Sequence, residues 1–179
     1  MSKKFLLTAF SKDRPGIVAD LSRVIYENGC NLEESSMTNL AGEFAILLLL
    51  SVPAGNLKDA EEKLSTECRR LEREKGITAF IRPIDLETQK KKTDILTKTI
   101  HVEGLDQAGI VYKVSSFLAD RGINIATLHT ERRLSPESGA AIYAMTITVE
   151  LPSQVSLQPV EDGLAQIGDQ LNVDVTFEG

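Results

Sequence analysis

Apolar residues recur at helical spacing in two windows of the chain that share their opening pattern. The stretch DRPGIVADLSRVIYENGCN, beginning at Asp13, puts Ile17, Val18, Leu21, Val24 and Ile25 at positions i, i+1, i+4, i+7 and i+8. That spacing is the stripe of an amphipathic helix with one buried face. The stretch DQAGIVYKVSSFLADRGIN, beginning at Asp106, repeats it 93 residues further along with Ile110, Val111, Val114, Phe117 and Leu118. Asp13, Gly16, Ile17, Val18, Ser22, Gly29 and Asn31 are matched identically by Asp106, Gly109, Ile110, Val111, Ser115, Gly122 and Asn124. Self-similarity at a fixed offset reports a duplicated structural unit.

The flanking patterns complete that unit. A short apolar segment of strand character precedes each helix, KFLLTAF in the first half and TKTIHVEGL in the second. Gly29 and Gly122 stand where a helix C-terminus favours glycine, and Asn31 and Asn124 open a further extended segment. A second strand follows, EFAILLLLSV from Glu43 and AAIYAMTITVEL from Ala140, after a turn at Ala41-Gly42 or at SPESG. A second helix reads most clearly in NLKDAEEKLSTECRRLEREKG, where Leu57, Ala60, Leu64, Cys68 and Leu71 share a face and Gly76 ends it. Its counterpart aligns Leu157, Val160, Leu164, Ile167 and Leu171, although Pro159, Gly163 and Gly168 weaken it as a helix. Each half closes on a strand, ITAFIRPI or NVDVTFE.

The order strand, helix, strand, strand, helix, strand, read twice, predicts an α+β chain of two ferredoxin-like βαββαβ sandwiches in tandem. The expected domains are residues 1–84 and 96–179, joined by the polar linker DLETQKKKTDI at 85–95. The run AILLLL departs from the alternation of a strand covered on one face, so both faces of that strand are expected to be buried. A partner sheet, from the other half or from another subunit, is expected to cover the second face.

Composition narrows the chemistry. With 42% apolar residues in 179, the chain can build a core. Its formal charge is −6 and its one dense basic run is QKKK near Lys90, which argues against a surface that tracks phosphates and hence against direct DNA binding. RNA-binding βαββαβ sheets expose aromatic residues on their central strands, whereas EFAILLLL holds one aromatic and no basic residue. No apolar run approaches the roughly 20 residues that cross a bilayer, and FLLTAF after Lys3 and Lys4 is short for a signal peptide. A cytoplasmic protein is expected. Cys30 and Cys68 form neither a disulfide framework nor a metal-ligand pattern, and they are expected as buried thiols. His101 and His129 belong to no metal motif, and no nucleophile motif occurs, so neither catalysis nor a cofactor is expected.

The repeated device itself offers a binding chemistry. Asp13 suits a helix cap and Pro15 a first helical turn, but Gly16 in that turn costs about 1 kcal/mol relative to alanine. A bare backbone there admits close approach. A helix N-terminus with free N–H groups attracts a small anion such as a carboxylate, and Asn31 or Asn124 has an amide suited to holding an ammonium. Together they describe a cradle for an amino acid. Asp13 as a plain cap, Gly16 as packing and Asn31 as a turn residue remain open beside that reading.

DRPGIV, the apolar helix and GCNLEESSM resemble the ACT domain, a regulatory module that commonly binds amino acids, and the second window ending in GINIATL resembles another. The resemblance covers nearly the whole chain apart from the linker. It implies ligand sites at domain interfaces, with Ser11, Asp13, Gly16 and Asn31 at the first and Asp106, Gly109 and Asn124 at the second. Ser11 and Gly104 stand where several amino-acid-binding members carry histidine. It further implies domains that associate through their sheets. The protein expected is a non-enzymatic regulator that binds glycine or a similar amino acid. It would act on a protein partner, a transcriptional activator of glycine catabolism, and contact neither nucleic acid nor membrane. The competing expectation is a constitutive dimerisation and assembly module without a small-molecule ligand.

Overall fold

The computed structural model describes residues 3–53, 59–85, 95–136 and 139–178. The chain divides into two compact units, Met1–Lys90 and Lys91–Gly179. In the first, β1 (Lys3–Lys12), α1 (Ile17–Glu27), β2 (Asn31–Leu40), β3 (Glu43–Val52), α2 (Ala60–Lys75) and β4 (Thr78–Ile84) follow one another. In the second the order recurs as β5 (Ile95–Leu105), α3 (Ile110–Ala119), β6 (Asn124–Leu134), β7 (Ala141–Pro152), α4 (Leu157–Leu171) and β8 (Val173–Glu178). Each unit builds one antiparallel sheet, in the orders β2-β3-β1-β4 and β6-β7-β5-β8. These are the two βαββαβ sandwiches that the pattern predicts. Of the expected linker, 85–95, all but Asp85 and Ile95 lies outside the described residues, and Ile95 already belongs to β5. Leu57 and part of the SPESG turn also lie outside them.

Strand alternation sorts side chains between two faces. In the first unit Phe5, Leu7 and Ala9 of β1 and Phe44, Ile46, Leu48, Leu50 and Val52 of β3 are buried on the helix side. They meet Ile17, Leu21, Val24 and Ile25 of α1 and Ala60, Leu64, Cys68 and Leu71 of α2 in one core. Burying a Leu, Ile or Phe side chain contributes about 1.5–3 kcal/mol, which makes this layer the source of each unit's cohesion. The core stripe is narrower than the sequence suggests: Val18 and Val111 are 47% and 38% exposed, because each lies on the flank of its helix away from the sheet. Phe44, the aromatic of EFAILLLL, faces the helices. Cys30 and Cys68 are free, buried thiols, and burial pushes the Cys68 thiol up to about 11.

The second unit explains the glycines that weaken α4 as a helix. A Cβ on Gly163 would lie 2.3 Å from the Phe117 ring, and one on Gly168 would lie 2.8 Å from the Val173 carbonyl oxygen and 2.9 Å from Val175 Cγ2. Helix α4 therefore presses against α3 and β8 at a distance that a side chain would prevent. Gly168→Ala is expected to lower the urea midpoint of the second unit. Overpacking against backbone costs about 1–3 kcal/mol, while better helix propensity returns roughly 1 kcal/mol. A raised midpoint would show that α4 has room to move outward.

Candidate functional site

The two loops that lead from the first strand into the first helix of each unit carry the repeated device. Asp13 does not cap α1. Its backbone N–H donates to the Gly42 carbonyl at 2.8 Å, and its Oδ2 accepts a hydrogen bond from Asn39 Nδ2 at 2.5 Å. The aspartate thus ties its loop to the β2–β3 hairpin. In the second unit Asp106 donates from its N–H to the Ala141 carbonyl at 3.0 Å, and its Oδ2 accepts from Arg132 Nε at 2.7 Å. Asn39 and Arg132 occupy equivalent places in the repeat. The same tie is made with two different donors, so identity matching in the sequence passes over it.

The helices begin at the glycines. Gly16 has φ 92° and ψ −4°, Gly109 has φ 97° and ψ −5°, and neither helix start has a side-chain cap. Both residues occupy the left-handed region that a Cβ disfavours, so backbone conformation alone requires glycine there. The expectation that Pro15 and Gly16 lie in the first helical turn is thereby corrected: Gly16 is the turn residue from which the helix starts, and Pro15 precedes it.

Arg14 and Gln107, which differ in identity, do one job. Arg14 Nη2 donates to the carbonyl of Lys75, the last residue of α2, at 3.5 Å, and Gln107 Nε2 donates to the carbonyl of Leu171, the last residue of α4. Each satisfies an otherwise orphaned carbonyl at a helix C-terminus. Arg14 Nη2 also donates to Asp20 Oδ2 at 2.9 Å, and Nη1 donates to the Pro15 carbonyl at 3.2 Å. The same Nη1 comes within 3.7 Å of where a Cβ on Gly16 would be, so the guanidinium overlies the first tip. Among the described residues nothing lies within 4 Å of the equivalent point on Gly109.

The other expected site residues lie elsewhere. Asn31 pairs across β3 with Ser51 and hence with Lys4, at the opposite end of β1 from Lys12. Eight residues of strand put it about 25 Å from the tip. Asn124 pairs with Glu150, and its Nδ2 donates to Glu150 Oε2 at 2.9 Å. Within one unit, then, asparagine and helix tip are not brought together. Ser11 is half-buried at the end of β1 and donates to the Lys12 carbonyl at 3.1 Å. Gly104, its counterpart, owes its small size to packing: a Cβ would lie 2.6 Å from Val173 Cγ1. His101 bonds Thr146 Oγ1 at 3.2 Å and Glu178 Oε2 at 3.1 Å, and among the described residues no His, Cys, Asp and Glu cluster is suited to a metal ion.

A family model described as the ACT domain matches residues 3–82. The chain's first unit is an ACT domain. The second unit repeats the topology of the first, giving two ACT domains in tandem. The chain is similar to the glycine cleavage system transcriptional repressor of Escherichia coli (strain K12), with 25% identity over 174 residues, 93% of this chain and 85% of that protein. A UPF0237 protein of Methanopyrus kandleri is 31% identical over 81 residues, 45% of this chain and 88% of the relative. A crystal structure of a protein from Galdieria sulphuraria superposes with a TM-score of 0.82 at 29% identity, covering 99% of this chain and 98% of that one. Among the described residues no helix of this ACT-domain protein is long and apolar enough to cross a membrane.

The first tip is also an electrostatic knot. Asp20 faces Arg14 at 2.9 Å, Arg23 at 3.5 Å and Lys75 at 3.6 Å. The hydrogen bond from Arg14, aided by the charges of Lys75, Arg14 and Arg23, holds the Asp20 carboxyl below its ordinary value of 3.8. A lowered folded-state value means the stabilisation is complete above 3.8 and disappears as pH falls through the folded value. Asp20→Asn is expected to destabilise the protein near neutral pH, with the difference from wild type vanishing in strong acid. A constant difference across an acid titration of thermal unfolding would contradict this.

Proposed function

We propose that this protein is a non-enzymatic regulator that senses a small amino acid, glycine or one close to it, and passes the bound state to a protein partner. The observation that carries this reading is the similarity to the glycine cleavage system transcriptional repressor, which spans both ACT domains and not a single module. By that likeness the partner is a transcriptional activator of glycine catabolism. The protein then works in the cytoplasm without cofactor, nucleic-acid contact or membrane, and self-associates through its sheets.

The proposed ligand sites are the two glycine-started helix tips. First-turn N–H groups of α1 and α3, which have no partner within the helix, suit a carboxylate, beside Ser11, Asp13 and Gly16 in one domain and Asp106 and Gly109 in the other. Asn31 and Asn124 lie too far from the tip of their own domain to hold the ammonium of a ligand bound there. Binding shifts the partner equilibrium only as far as the ligand favours one state, about 1.4 kcal/mol for each tenfold change.

A second reading, a constitutive assembly module, is favoured by the structural duties of Asp13, Arg14 and Gly16 and by an apolar sheet face on the first unit. Titration calorimetry of the full chain against each of the twenty amino acids separates the two. Selective heat from one or two ligands is expected, and silence from all twenty would leave assembly. Asparagine tolerates left-handed backbone better than other side chains, so Gly109→Asn fills the open tip at small cost to the fold. That variant is expected to weaken binding at the second site at least tenfold with an unchanged circular dichroism spectrum.

A further inference from the structure

The two units bury equivalent residues beneath their helices, yet their outer sheet faces are chemically unlike. In the first unit, hydrogen-bonded neighbours line up across four strands as Glu34 on β2, Leu49 on β3, Leu6 on β1 and Arg82 on β4. The adjacent row is Ser36, Leu47, Thr8 and Phe80. In the second unit the equivalent rows read Thr127, Thr148, Thr99 and Glu178, then His129, Thr146, His101 and Thr176. Threonines stand in place of Leu49, Leu6 and Leu47, and imidazoles in place of Ser36 and Thr8. On the first unit Leu47 is 46% exposed, Phe80 61% and Phe10 47%, and the Phe10 and Phe80 rings lie 6.2 Å apart on the same face. A shallow groove of about 320 Å³ runs along this row between Glu34 and Arg82, floored by Leu6, Leu47 and Leu49.

We infer that this face is a docking surface for the same face of a second copy of the chain, stacked sheet on sheet about a two-fold axis parallel to the strands. The charge pattern selects that occupant. The row is acidic at one edge strand, apolar across the two central strands and basic at the other edge strand. Turning a second copy over about an axis along the strands exchanges the edges, so each Glu34 stands opposite the partner copy's Arg82 while leucines meet leucines at the centre. Turning it about an axis along the row would put glutamate on glutamate and arginine on arginine. Among the described residues neither Glu34 nor Arg82 forms an ion pair within its own chain, which leaves both charges free for this contact. An axis along the strands also keeps the two sheets' strand directions close to parallel, the aligned mode in which sheets pack about 10 Å apart. An isologous interface uses the same patch twice and closes, so the product is a dimer and not a filament.

The inference rests on the self-association proposed above and adds its face and orientation. It is independent of the amino-acid sites, which calorimetry tests separately. The test is sedimentation equilibrium of the full chain at micromolar concentrations, with circular dichroism of every variant as a check on folding. Wild type is expected at twice the 19.6 kDa chain mass. Glu34→Arg and Arg82→Glu, both at exposed positions, are each expected to weaken the dimer at least tenfold. The doubly exchanged Glu34→Arg/Arg82→Glu chain restores both ion pairs and is expected to recover most of that loss. A wild-type monomer at every concentration would overturn self-association as well as the face. A wild-type dimer that neither single variant weakens, or that the double exchange fails to restore, would overturn the face and its orientation while leaving self-association in place.

Discussion

Each sheet has two faces, but the two helices of its unit cover one. From that constraint follow the depth of each core, the closeness of α4 to its sheet, and the freedom of the outer faces to diverge. On the covered side, alternation along β1 and β3 sets Phe5, Leu7, Ile46, Leu48 and Leu50 against α1 and α2, and the second unit repeats the arrangement with Ile100, Val102, Met145, Ile147 and Val149. Close packing leaves that layer little latitude, because even one added methylene strains it. The uncovered side is under no such demand within one unit. There the first unit presents leucine and phenylalanine between two opposite charges, and the second presents threonine and histidine.

The loops at the helix starts have most of their polar side chains committed to structural contacts. Asp13 and Asp106 spend their carboxylates on the neighbouring hairpin, and Arg14 and Gln107 spend their donors on the last carbonyls of α2 and α4. What remains for the proposed ligand is backbone: the first-turn N–H groups that follow a left-handed glycine. A site of that kind would position an anion with little side-chain reorganisation, since its donors are held by the helix itself. The two tips are not equivalent. The first is overlaid by the Arg14 guanidinium, while among the described residues nothing covers Gly109.

Several of these roles were legible before the structure and several were not. The 93-residue repeat marked Asp13 and Gly16 as a device, yet periodicity could not separate a capping aspartate from one that holds a hairpin, because both precede a helix. Asn39 and Arg132 are hidden from residue identity for a related reason. The contact depends on reach and on a nitrogen donor, and an amide and a guanidinium satisfy it without sharing a letter. Gly104, Gly163 and Gly168 read as weak or neutral residues along the chain, whereas in space each marks a place where backbone or a ring comes within van der Waals distance.

Local spacing by itself determined the number, order and type of elements, their duplication and the identity of most core residues, because helix and strand periods are properties of neighbours along the chain. Tertiary structure alone decided that Asn31 and Asn124 stand a strand's length from the helix tips of their own units, and which charges share a row on an open face. Those relations join residues tens of positions apart through strand register, and register is settled by how the hairpins close and which face the helices bury.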